Sequence, residues 1–103
     1  MKKIFYSLFL VFTLSSCGGN KAAHQICHFI EEATQQTEQA NTLQEINAIN
    51  EKLTKNIAIY SLSLSEEEYH EWANDPEANK DIEEAEFKYK TAKLEREKFL
   101  KSE

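Results

Sequence analysis

Proline occurs once and glycine twice in the 103 residues. Disordered low-complexity chains are rich in such residues and lack regularly spaced apolar ones, so this composition, with 41% hydrophobic residues, excludes low-complexity disorder for most of the chain. Two cysteines, Cys17 and Cys27, are too few for a disulfide framework. Twelve basic residues face 18 acidic ones, giving a formal charge of −6, and no basic cluster stands out. A phosphate backbone is held by clustered Lys and Arg, so no nucleic-acid partner is expected. The chain also has no Gly-rich phosphate loop, no Gly-x-Ser-x-Gly elbow and no His-Glu-x-x-His pair. Its carboxylates crowd among like neighbours, without the contrasting surroundings that separate a catalytic acid from a catalytic base. The composition therefore points away from an enzyme, and the length allows one small domain.

What is present begins at the first residues. Lys2 and Lys3 lead into the apolar run from Ile4 through Leu14, followed by Ser15, Ser16 and Cys17. A positive start, an apolar run too short to span a bilayer and a small-residue cleavage site describe an export signal rather than a membrane helix. Leu14-Ser15-Ser16-Cys17 resembles the lipobox of bacterial lipoproteins. That resemblance covers about a fifth of the chain. It implies cleavage before Cys17, a diacylglycerol on the Cys17 thiol, and further acylation, such as palmitate, that holds the mature protein on a membrane. One acyl chain anchors weakly, whereas two or three retain a protein firmly. No Asp follows Cys17 and no acidic cluster comes directly after it, which by the same resemblance implies an outer-membrane anchor facing the periplasm. The expected organisation is a signal peptide over 1–16, the lipidated cysteine and a short linker over 17–20, and a helical domain over 21–103. Loss of Lys2 and Lys3 with the signal would take the charge from −6 to −8.

Beyond the linker, apolar and small residues recur at intervals of three and four, the spacing of one helical face. Ala23, Ile26, Ile30, Ala33, Thr37 and Ala40 form the first such seam. Asn41 breaks it, and Thr42 with Glu45 matches a capping box that starts a second helix. The second seam is Leu43, Ile46, Asn50, Leu53, Ile57, Tyr60 and Leu64, with Asn50 its polar member. Ile57 to Leu64 also alternates weakly as a strand would, but no second strand exists to pair with it, and helix is preferred. Ser65 and Glu68 form another capping box, opening a short acidic turn of helix through about Asn74. Asp75-Pro76 then starts a third long helix of about 25 residues. Its seam is Ala78, Ile82, Ala85, Tyr89, Ala92, Arg96 and Phe99. The expected fold is all-α, a small antiparallel three-helix bundle with one short extra helical turn.

Three groups of residues are candidates for function. His24, Cys27 and His28, at i, i+3 and i+4, have the side chains for zinc or copper but need a fourth ligand such as His70. At 100° per residue both histidines project opposite the first seam, with Cys27 on its flank, which puts the trio outside the core. Tyr69 and Trp72 either plug the end of a small core or form a docking patch. Phe87 and Leu94, seven residues apart, lie on the far side of the third helix from its seam, so that helix is either sandwiched or offers an apolar stripe. The expected role is non-catalytic: a membrane-tethered protein-binding or scaffold module that meets another envelope protein through Tyr69 and Trp72 or Phe87 and Leu94. Metal handling through His24, Cys27 and His28 is the alternative, and so is an inhibitor or immunity-type protein that uses its acidic stretch against a basic partner.

Overall fold

Four polar residues, Asn20, Thr42, Ser65 and Asp75, each stand immediately before a helix in the computed structural model, which describes residues 20–102. The helices are α1 (Lys21–Glu38), α2 (Leu43–Ser63), α3 (Glu66–Ala73) and α4 (Pro76–Ser102). Cys17, the apolar run before it and the lipidation expected there lie outside the described residues.

Each start has a visible chemical cause. Free amide hydrogens in a first helical turn need an acceptor, and a short polar side chain at the cap supplies one. Asn20 Oδ1 accepts from the Ala23 N–H at 3.1 Å, and Thr42 Oγ1 from Glu45 N–H at 3.1 Å. Ser65 and Glu68 satisfy one another in a complete capping box at 3.1 and 2.9 Å. Asp75 Oδ1 accepts from the Ala78 N–H at 3.1 Å, with Pro76 in the first helical position, where a missing N–H costs nothing. The Thr42 box differs from expectation in one detail. Glu45 Oε1 accepts from the Asn41 N–H at 2.8 Å, one residue before the cap. The ambiguous stretch from Ile57 is helical through Ser63, and Leu64 then turns to extended backbone.

Helix α1 is the centre of the domain. It packs most extensively on α4, less on α2, and α2 touches α4 little. The pairing of α1 with α4 has a fixed register. Asn20 Nδ2 donates to Asp75 Oδ2 at 3.2 Å near the start of both helices, and Arg96 Nε donates to the Ala40 carbonyl at 2.8 Å near the far end. These contacts span 55 and 56 positions, so the two helices run side by side in the same direction. The same offset sets Ala23, Ile30 and Thr37 level with Ala78, Ala85 and Ala92, all six of them buried. Alanine at every seventh position of α4 leaves room for the backbones to approach closely. One polar bond ties α2 to α4, from Tyr89 Oη to Asn50 Oδ1 at 2.8 Å, and gives the polar residue of the second seam its partner.

Three expectations need correction. Cys27 is not on an open flank: it is 1% exposed and belongs to the core with Ile26, Ile30, Leu53 and Tyr89. Because α1 is covered from two sides, its buried residues Ala22 to Thr37 span an arc of roughly 180° rather than a single seam. Leu43 is 39% exposed and Phe99 48% exposed, so neither seam stays buried to its end. For Phe99 the reason is length. At 27 residues α4 is about 40 Å long against about 27 Å for the 18 residues of α1, and its last turns overhang. There Phe99 lies under the Arg96 guanidinium, 4.8 Å from its ring centre.

Candidate functional site

The end of the domain where the described chain begins carries a network of side-chain hydrogen bonds. Asn20 caps α1 through Oδ1, while its Nδ2 reaches the Glu71 carbonyl at 3.4 Å and Asp75 Oδ2 at 3.2 Å. One side chain thus joins the start of α1 to α3 and to the cap of α4. Asn79 Nδ2 continues the network, donating to the Trp72 and Asp75 carbonyls at 3.0 and 2.9 Å. An open cleft of about 670 Å³ lies here, lined among others by Lys21, Leu64, Glu68 and Glu71. The Ala78 amide and then Asn20 hold the Asp75 carboxyl below the usual aspartate range, and hydrogen bonds from Ser65 do the same for Glu68. Both acids therefore stay ionised and serve as caps.

Tyr69 and Trp72 meet edge to face beside this end, with ring centres 5.8 Å apart. Trp72 is half-buried and packs on the core, whereas Tyr69 is 52% exposed, so the pair plugs the core with one ring and presents the other. The Trp72 indole nitrogen is buried without a hydrogen-bond partner. On α4, Phe87 is 72% and Leu94 55% exposed. The sandwiched reading of α4 is thereby excluded among the described residues, and the stripe is an open surface.

The structure does not bring His24, Cys27 and His28 together. Cys27 points into the core, while both histidines are half-buried and His28 Nε2 lies 4.0 Å from Glu32 Oε2. His70 is exposed on α3. Among the described residues no three His, Cys, Asp or Glu side chains are grouped to hold a metal ion.

Two features escaped the spacing argument. Glu31 is only 9% exposed, and neither carboxylate oxygen has a hydrogen-bond partner. Burial pushes its pKa up to about 7, against the opposing effect of the Lys88 ammonium. Its signal was the row Cys27, Glu31, Thr34, a second inward-facing line beside the first seam. The other is the end of α2, where Ile59 and Leu62 are 61% and 86% exposed, with none of the described helices covering the outer face of α2 there. No described helix is long and apolar enough to cross a membrane. No protein-family model, curated protein or solved structure matches the chain.

Proposed function

We propose that this is an exported lipoprotein, cut before Cys17 and held by diacylglycerol and acyl chains on the outer membrane, facing the periplasm. It acts without catalysis, as a binding or scaffold module for another envelope protein. Its working part is an antiparallel three-helix bundle of α1, α2 and α4, with α3 as the short extra element. The observation that carries the reading is the position of Asn20. Only Gly18 and Gly19 separate Cys17 from a residue whose side chain is bonded into the folded domain at Glu71 and Asp75. Two flexible residues reach about 8 Å, so an anchor at Cys17 keeps the domain against the bilayer and fixes which surfaces a partner meets. Tyr69 and Trp72 belong to the tethered end, and Phe87 and Leu94 lie farther along α4.

The reading is tested with a photoreactive amino acid placed singly at Tyr69, Leu94 and Lys52, the last an exposed α2 position outside both patches. In intact cells, adducts of one defined mass are expected from Tyr69 or Leu94 and not from Lys52. They should disappear when Cys17→Ser removes the anchor. Adducts equally abundant from all three positions, or none from either patch, would contradict a binding role.

A further inference from the structure

The outer face of α4 carries an internal charge complement. Its exposed residues before Phe87 are Glu77, Glu83, Glu84 and Glu86 against Lys80, and those after it are Lys88, Lys90, Lys98 and Lys101 against Glu95. One half is net acidic and the other net basic by the same amount. Phe87 and Leu94 stand on either side of the changeover, and an open groove of about 390 Å³ flanks Phe87, lined by Lys80, Glu83, Glu84 and Lys88.

We infer that this face pairs with the same face of a second copy of the chain, the two α4 helices running antiparallel about a twofold axis near Thr91. In that arrangement Leu94 of each copy enters the groove beside Phe87 of the other. Positions 83 and 98 are equally distant from the axis, so Glu83 and Glu84 come level with the second copy's Lys98. Lys101 then comes level with Lys80 of the facing helix and Glu86 with Glu95, two like-charged matches that oppose the gain at Glu83, Glu84 and Lys98. A parallel pairing would instead set acid on acid and base on base along the whole helix, which disfavours it. The antiparallel pair also has a geometric consequence. The two Asn20 ends emerge about 40 Å apart, the length of α4, so two anchors reach one membrane when α4 lies along its surface. The inference rests on the proposed binding role of the Phe87 and Leu94 stripe and names its occupant, leaving the Tyr69 and Trp72 surface for a different protein.

Cysteine crosslinking of the full chain in intact cells tests it, because Thr91, Glu83 and Lys98 are all exposed and tolerate substitution. With a mild oxidant, Thr91→Cys alone is expected to give a disulfide-linked homodimer at least fivefold above the unaltered chain, whose own cysteines set the background. Glu83→Cys alone should stay at background, while Glu83→Cys combined with Lys98→Cys should crosslink. Adding Leu94→Glu to Thr91→Cys should lower the dimer at least fivefold. A Thr91→Cys protein that remains at background would overturn the second copy as occupant, while adducts at Tyr69 would still stand for the binding role. Efficient crosslinking of Glu83→Cys alone would show a parallel pair and overturn the antiparallel one.

Discussion

Replacing Glu31 with glutamine raises the stability of the domain at pH 8 by about 1–2 kcal/mol and leaves it nearly unchanged at pH 4.5. The sign follows from the direction of the shift. Glu31 has an ordinary value of 4.5 and one near 7 in the folded protein, so the folded state binds more protons between those limits. Its contribution is fully present below pH 4.5 and is lost as pH rises through 7. The magnitude is set below what the full shift would give, since solvent screening at this partly open site relieves part of the strain of ionisation. Glu38, raised by burial and by Glu95, acts in the same sense. Asp75 and Glu68, both lowered by hydrogen bonds, act oppositely, and their contribution disappears as pH falls through the acid range. The parent protein should therefore show a stability maximum in mildly acidic solution, and the Glu31→Gln variant a plateau that extends past neutrality. Urea unfolding followed by circular dichroism from pH 4 to 9 measures both curves. A parent curve that rises from pH 5 to 8 would show that Glu31 is not buried as a carboxylate.

Ile30→Ala lowers stability by about 2–5 kcal/mol, a large effect for a single truncation in a core this small. Ile30 is 1% exposed at the middle of α1, among Ile26, Cys27, Leu53, Ala85 and Tyr89. Helices on both sides of α1 prevent the cavity from collapsing, so most of the lost contact is not recovered. Phe87→Ala, on the open face of α4, should change stability by less than about 0.5 kcal/mol. Urea midpoints at pH 6 compare the two directly. Equal effects would mean that α1 is not the packed centre of the domain.

Much of this architecture is readable from local chemistry. Thr42, Ser65 and Asp75 announce their helices because caps act within one turn, and the alanines of α4 declare their buried face through a simple period. Long-range partners are different. The row Cys27, Glu31 and Thr34 marks a second inward line on α1, but which helices cover it is decided by residues distant in the chain, such as Leu53 and Tyr89 beside Cys27. The same holds for Asn50, whose polarity breaks its seam until Tyr89 arrives from α4. Phe99 fits the period of α4 and still lies exposed, since periodicity records a face but not where the neighbouring helix ends. At the candidate surfaces, spacing found the outward Phe87 and Leu94, but the exposed Ile59 and Leu62 look like any other apolar residues of an amphipathic helix.

The mass of the amino-terminal peptide, taken from protein purified out of native membranes, bears most directly on the proposed anchor. A peptide that begins at Cys17 and carries the added mass of diacylglycerol with one or more acyl chains is the outcome expected for a tethered module. A peptide with an unmodified Cys17, or one that retains residues 1–16, would contradict it.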